Sequence, residues 1–473
     1  MTRPFTVLAI DQGSHASRAA VYDDHGCRGE IAYRPVTTEQ PRAGWVEQDA
    51  EDLVQSVRKC LQRVTTGATG QIRAAGLATQ RSSIVCWDRE NGAALSPVLS
   101  WRDRRAADWL ERFRVYEDDI AERTGLPLSA HYGASKIAWC LAHLETARSA
   151  GKSLVIGPLA SFLVHRLCPG TVPQVDPANA SRTLLYNRHS LDWDDDLLAL
   201  FGIGRDLLPL CVPTRHAYGM LEIDGREIPL ALVTGDQAAA FFASGDSAAG
   251  STFVNLGTGA FLQIAAGAEA LKAEGLLASI AYADSGGPLY VLEGTVNGAG
   301  SALSQIAGEQ GLEPGLWQSE LETWMRSVED PPLFLNGVGG LGSPWWKPAF
   351  ESRFIGNGDS AGRIVAVCES IVFLLQANLD RASEVLPATR IRVSGGLARS
   401  DALCQRLADL SGLSVWREPE TEATLAGVAR LLGTASARDG TGERFIPKDN
   451  RPLRRRYRRW LDAVEDALEP PAA

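Results

Sequence analysis

A chain of 473 residues with 45% hydrophobic and 22% charged side chains is too long for one hydrophobic core, so two to four domains are expected. Its net charge of −10 gives no electrostatic reason to bind nucleic acid. No window approaches eighteen uninterrupted apolar residues, the first residues carry no apolar leader, and the eight cysteines are scattered without a C-x-x-C pair. These features argue against secretion, a membrane span, a disulfide framework and a zinc site, and for a cytoplasmic chain with reduced thiols.

The apolar run Phe5 to Ile10 predicts a buried strand that ends in the turn Asp11-Gln12-Gly13-Ser14, and Ala19 to Asp23 a returning strand with a hairpin at Asp24-His25-Gly26. Residues Ala50 to Val64 keep Leu53, Val57, Leu61 and Val64 at helical spacing, and Ala74 to Thr79 read as another strand. Strands interleaved with helices in this way indicate an α/β protein. The opening unit recurs in the second half. There Ser251 to Leu256 lead into Gly257-Thr258-Gly259 and then a strand from Ala260 to Ala265. A third junction, Ile391 to Gly396, precedes a helix near Asp401 to Leu410. The boundary between the halves falls in Gly235 to Gly250. Expected domains are therefore residues 1–243 and 244–440, followed by a basic helix and tail at 441–473, with a loop at 433–442 ahead of it. In that helix Arg451, Arg454, Arg455, Arg456, Arg458 and Arg459 read as a solvated face, with Leu453, Tyr457 and Trp460 packed inward.

Glycine- and hydroxyl-rich turns at strand ends can aim backbone N–H groups at an anion. The segment Asp11 to Arg18 adds a carboxylate able to hold hydrated Mg²⁺ and an arginine able to offset phosphate charge. Gly257-Thr258-Gly259 offers the same geometry from the other half, and Gly395-Gly396 lets a flat group approach the backbone. There is no G-x-x-x-x-G-K-[ST] loop and no HRD/DFG pair. Asp236, in Val233-Thr234-Gly235-Asp236-Gln237, follows an apolar strand at the boundary between the halves. On its own such an aspartate is either a turn former or a base facing a cleft. Between two phosphate turns the second reading gains, because phosphoryl transfer needs one group to orient and deprotonate the acceptor hydroxyl.

Together these residues resemble the FGGY carbohydrate kinases, with glycerol kinases the nearest branch. The resemblance runs from Ala9-Ile10-Asp11-Gln12-Gly13 to Leu425-Ala426-Gly427-Val428-Ala429. It includes Pro41-Arg42-Ala43-Gly44-Trp45-Val46-Glu47-Gln48-Asp49, Thr79-Gln80-Arg81, Trp87-Asp88, Trp101-Arg102-Asp103 and Asp176-Pro177-Ala178-Asn179-Ala180-Ser181-Arg182-Thr183. Leu191-Asp192-Trp193, Gly235-Asp236-Gln237, Leu292-Glu293-Gly294 and Gly340-Leu341-Gly342-Ser343-Pro344-Trp345-Trp346 complete the series. The resemblance implies two actin-like ATPase (ribonuclease H-like) domains closing a central cleft over ATP, Mg²⁺ and a small polyol or sugar, with no nucleic-acid or membrane partner. Asp236 would be the general base, and Gln80, Arg81, Ser82, Trp101, Asp103, His131, Tyr132 and Gln237 would lie on the substrate side. Asp11 would place Mg²⁺. Asp11, Gln12, Gly13, Ser14, His15 and Arg18 would meet the nucleotide, as would Gly257, Thr258, Gly259, Gly395, Gly396 and Ser400.

Departures fall on the acceptor side. Glycerol kinases follow Gln-Arg with a glutamate that holds the triol, and this chain has Ser82. Their pocket tyrosine aligns with His131, or with Tyr132 after a one-residue slip. His15 stands where the family has a hydroxyl residue, either touching phosphate or as a tolerated loop variant. Losing a buried acceptor changes which hydroxyl pattern is favoured. Glycerol and another polyol or sugar, such as a ketopentose, both stay open, as does a non-catalytic sensor on the same scaffold. A homo-dimer or homo-tetramer is left open too.

Overall fold

A computed structural model describes residues 5–66, 71–245, 247–313, 315–418, 422–435 and 442–469. The first sheet contains β1 (Thr6–Gln12), β2 (Ala16–Asp23), β3 (Ala32–Pro35), β4 (Ile72–Thr79), β5 (Arg215–Ile223) and β6 (Arg226–Gly235), in the order β5-β6-β4-β1-β2-β3. Strand β1 shows why so apolar a run is needed. Leu8 and Ile10 face one core, with helix α1 (Ala50–Thr66) packed against it, while Val7 and Ala9 face another. All four are fully buried, which a strand covered on both faces requires. Asp49 starts α1 by accepting the Asp52 N–H (2.8 Å). Further along, α2 (Gly133–His143) and the short α3 (Asp236–Phe241) complete the elements of this half that bear on the site.

The second sheet contains β7 (Ser251–Leu256), β8 (Ala260–Gly267), β9 (Leu277–Asp284), β10 (Gly287–Val296), β11 (Arg390–Ser394), β12 (Val415–Arg417) and β13 (Glu443–Phe445), in the order β9-β10-β8-β7-β11-β12-β13. Its helices include α4 (Gly300–Glu309), α5 (Leu316–Ser327), α6 (Ser360–Ser383), α7 (Asp401–Ser411), α8 (Ala423–Leu431) and α9 (Arg451–Leu468). Helix α6 is long and apolar enough to cross a membrane, but 83% of its most apolar stretch is buried inside the second core.

The faint repeat in sequence is a full repeat in topology. In the first sheet β3-β2-β1-β4-β6 runs antiparallel, antiparallel, parallel, parallel. In the second, β10-β8-β7-β11-β12 repeats that order with the same senses. Both glycine turns therefore join the first two strands of their repeats.

The two halves also exchange helices. Helix α8, late in the chain, sends Leu425, Val428 and Ala429 into the core of the first sheet beside Val7, Ala9 and Leu232. Helix α3, from the first half, sends Ala238, Ala240 and Phe241 against Phe253, Ala265 and Val291 of the second. The two helices touch through Gly427, where an added Cβ would lie 1.8 Å from the Ala239 carbonyl oxygen. A cut of the chain at 243/244 therefore does not separate the two cores cleanly.

Two local expectations change. Strand β2 begins at Ala16 rather than Ala19, because Gln12 pairs with Ser17 and Asp11 with Arg18 across the hairpin. Only Gly13, Ser14 and His15 form the turn. In α9, Leu453, Tyr457, Trp460 and Val464 are buried as a stripe, each such side chain contributing about 1.5–3 kcal/mol. Arg456, expected on the solvated face, is buried and ion-paired with Glu369 at 2.7 Å, since the helix packs it against α6. The loop expected at 433–442 and the tail after Glu469 lie largely outside the described residues.

Candidate active site

The chemistry-bearing residues gather at the carboxyl ends of parallel strands, where crevices open in such sheets. Asp11 is the penultimate residue of β1, Gln80 and Arg81 follow β4, Asp236 follows β6, and Gly395 follows β11. In the first turn the Gly13 N–H donates to the Ala16 carbonyl (2.9 Å), and in the second the Gly257 N–H donates to Gly259 (2.9 Å). Thr258 is exposed at the tip of the second turn, and its carbonyl accepts the Ala299 and Ser301 N–H groups (3.1 and 3.0 Å). Gly395 lies against the Leu256 backbone at the end of β7, so the second and third glycine sites are neighbours.

Asp11 and Asp236 form the acidic centre. Burial pushes the Asp11 carboxyl up to about 7, and the nearby charges of Asp236 and Glu422 add to it, while Arg18 (3.3 Å) pulls the other way. Asp11 Oδ1 is buried without a hydrogen-bond partner. Burial also raises the Asp236 pKa, opposed by Arg81, the Gln237 N–H (2.7 Å) and Arg182, and reinforced by Glu293. Two carboxylates whose burial outweighs the arginines beside them make a place for a cation or for an acceptor proton.

The acceptor side is a buried polar cluster. Arg81 donates to Glu293 Oε1 (2.8 Å) and to Gln237 Oε1, and Arg182 pairs with Glu293 Oε2. Gly235 permits this, because a Cβ there would sit 2.5 Å from Arg81 Cδ. Ser82 adopts a left-handed backbone (φ 64°), and its hydroxyl is buried without a partner. Thr234 Oγ1 and Arg182 Nε are likewise unpartnered. Buried orphan polar atoms are rare, and several on the segments that carry Arg81, Arg182 and Asp236 indicate a ligand site.

His131 and Tyr132 both reach this cluster. The His131 ring stands 5.5 Å from Trp101, and burial together with Lys136, Arg104, Arg182 and Arg81 keeps its pKa far below the usual value, so it is neutral. Burial pushes the Tyr132 phenol up to about 12, and Arg182, Glu293 and Arg81 all act on it. Trp101 donates from Nε1 to Ser14 Oγ (2.8 Å), and Ser14 donates to Gln80 Oε1 (3.3 Å), which links the acceptor side to the first turn.

Several expected residues do structural work instead. Gln80 is buried and donates to Gln12 (3.2 Å) and Gln48 (2.9 Å), so it braces the first turn from behind. Asp103 accepts at Oδ2 from the Val46 N–H (2.7 Å) and the Arg105 guanidinium (2.8 Å) and at Oδ1 from Arg105 Nε (3.0 Å), which engages both its oxygens. Ser400 caps α7 by accepting the Leu403 N–H (3.2 Å) and also donates to Glu322, which leaves its hydroxyl no spare proton. His15 is exposed on the turn.

Sequence reasoning gave no site role to Glu293, Arg182, Gln263 or Gln48. The signal for Glu293 was a lone carboxylate in the apolar strand Tyr290-Val291-Leu292-Glu293, which buries a charge only where a cation awaits it.

Two repeats of one five-strand pattern, closed on a cleft of acidic groups and glycine turns, define a two-domain actin-like ATPase fold of the phosphotransferase kind. The chain belongs to the FGGY family of carbohydrate kinases: residues 6–243 match the family's N-terminal domain and 252–436 its C-terminal domain. A glycerol kinase of Shewanella amazonensis is 34% identical, over 98% of this chain and 99% of that one. The crystal structure of Plasmodium falciparum glycerol kinase with ADP superposes with TM-score 0.90 at 23% identity, covering 98% of each chain. A gluconate kinase from Lactobacillus acidophilus does so with TM-score 0.86 at 19% identity, covering 99% of each. This chain is thus an ATP-dependent kinase that phosphorylates an alcohol group of a sugar or polyol, and it is glycerol kinase-like.

Proposed function

We propose that Asp236 accepts the proton of the acceptor hydroxyl while that oxygen attacks the γ-phosphorus of ATP. The O–P bond to the acceptor forms, the bond to the β-phosphate oxygen breaks, and ADP leaves with the charge. The observation that supports this most is the position of Asp236. It lies between the arginine cluster that would grip the acceptor and the Asp11 turn that would meet the phosphates, with burial raising its pKa towards that of a working base. Gly13 and Gly257 close their turns with their own N–H groups, which leaves Ser14 on one side, and Thr258 and Gly259 on the other, to aim N–H groups at the phosphates, with Arg18 beside them.

The residues present fit Mg²⁺. Asp11 offers a buried carboxylate oxygen with no partner, and a cation beside it would relieve the charge that burial penalises. Among the described residues no three His, Cys, Asp or Glu side chains converge as a metal cage, so the ion would come with nucleotide phosphates and water, as its coordination prefers. Bound there, Mg²⁺ would supply charge neutralisation at the β- and γ-phosphate oxygens.

For the acceptor, glycerol accords with the glycerol kinase relatives. Ser82 favours a second reading, a longer polyol or a sugar, because its short side chain and unpaired hydroxyl replace a carboxylate with a smaller group that can both donate and accept. Free thiols at all eight cysteines accord with a cytoplasmic location. The deciding experiment incubates the protein with ATP·Mg²⁺ and a panel of polyols, ketopentoses and hexoses, and identifies products by mass spectrometry. A phosphate monoester formed with matching ADP release is expected. No ADP above background with any acceptor would overturn the kinase reading, and turnover confined to glycerol would overturn the second.

A further inference from the structure

Glu293 lies on β10, in the second sheet, yet both arginines bound to it come from the first half of the chain. Arg81 donates to Oε1 at 2.8 Å and approaches Oε2 at 3.4 Å, Arg182 pairs with Oε2, and Gln263 on β8 donates to Oε1 at 3.1 Å. Every lone-pair direction of this carboxylate is thus claimed within a pocket where Glu293, Arg81 and Arg182 are each less than 10% exposed. Ionic groups so deeply buried are costly unless paired. Here one carboxylate holds two guanidiniums, and the remaining positive charge faces Asp236. The four groups Arg81, Arg182, Glu293 and Asp236 therefore balance as two positive and two negative charges, with Tyr132 and Gln237 as neutral neighbours.

Resting on the kinase reading above, we propose that Glu293 is a positioning residue for phosphoryl transfer. It tethers Arg81 and Arg182 across the domain boundary, so that Arg81 is fixed beside Asp236 and Gln237 only while the second sheet is docked against the first. Arg81 continues the backbone of the braced Gln80, but its long side chain turns back over Gly235 and, among the acidic groups of the described residues, is ion-paired at its far end with Glu293 alone. Without that anchor the guanidinium is free to swing onto Asp236 itself and neutralise the base. The tether therefore serves two ends: it orients a donor for the acceptor oxygens, and it keeps Arg81 from collapsing onto the carboxylate that must take the proton.

The test uses the full chain with the acceptor found in the panel. Glu293→Gln keeps the shape and removes the charge, and at saturating ATP and acceptor kcat is expected to fall about 10²-fold, the loss typical of a small displacement of a catalytic constellation. The KM for ATP should change less than twofold. The acid limb of the kcat profile should also move to lower pH. The sign follows from the charges: Glu293 holds the Asp236 pKa up, so removing it and leaving Arg81 and Arg182 unopposed makes Asp236 a weaker base. In Arg182→Met/Glu293→Gln one positive and one negative charge are gone together. There kcat should stay at least about tenfold low, because Arg81 still lacks its anchor and remains free to move onto Asp236.

An acid limb unmoved in Glu293→Gln, or a double variant with kcat within threefold of wild type, overturns the inference. If the single variant does not fold, as judged by thermal melting with ADP·Mg²⁺, the double variant alone decides by the same kcat criterion. Absence of wild-type turnover with every acceptor overturns the kinase reading and this inference with it. Turnover in the wild type with an indifferent Glu293→Gln overturns only the inference.

Discussion

At the residue scale the site depends on carboxylates held against their preference. Asp236→Asn should lower kcat by about 10²–10⁴-fold, the range for loss of a general base, with ADP·Mg²⁺ affinity largely kept. Because burial raises the Asp236 pKa, wild-type activity should fall off on the acid side above the usual carboxylate range near 4, which a kcat profile would locate. Asp11 has a second consequence. Its carboxyl rises from 3.8 unfolded to about 7 folded, so the folded state binds the proton more tightly than the unfolded state does, and stability falls as pH rises through that window. Asp11→Asn should therefore stabilise the ligand-free protein at pH 8, on the order of 1–3 kcal/mol in denaturant melts, and do nothing below pH 4. The same variant should lose turnover. Of these residues the sequence disclosed Asp11 and Asp236, because a carboxylate at the end of an apolar strand is conspicuous. It did not disclose that Asp103 and Ser400 are committed elsewhere, since hydrogen-bond partners far along the chain leave no local trace.

At the element scale the acceptor loop illustrates how a helix serves a site without entering it. Lys136, on the first turn of α2, is buried and its ammonium donates to the carbonyls of Ala130 (2.8 Å), His131 (2.6 Å) and Tyr132 (3.2 Å). Three donors meet three acceptors, which fixes the loop that carries both rings to the cluster. Burial and Arg104 push its pKa well below the usual value, opposed by Asp103. Lys136→Met would strand three carbonyls and cost about 2–4 kcal/mol in thermal or urea melts. It should also raise the KM for the acceptor about tenfold while leaving that for ATP nearly unchanged, since the two rings of this loop lie among Arg81 and Arg182 of the acceptor cluster. The elements themselves were mostly legible: α1, α7, β1 and the second glycine turn fall within a few residues of their expected bounds. The exception, β2 starting at Ala16, reflects cross-strand pairing with β1 that outweighs the turn propensity of Ser17.

At the scale of the whole molecule, the helix exchange makes each half incomplete. A fragment of residues 5–245 would lack α8 and expose Val7, Ala9, Ala20 and Leu232, so it should fail to give a soluble, cooperatively melting domain, as circular dichroism and gel filtration would report. The full chain should melt as a tightly coupled unit. Strand ends and glycine turns were enough to indicate an α/β protein, because hydrophobic period and glycine turns are local properties that a sequence carries openly, and the ordered motifs pointed by resemblance to the FGGY kinases. Only the tertiary structure decided that the two halves repeat one strand topology, that α3 and α8 cross between cores, and that Glu293 meets Arg81 and Arg182. Those depend on contacts between residues tens to hundreds of positions apart, and packing, rather than any local pattern, selects them.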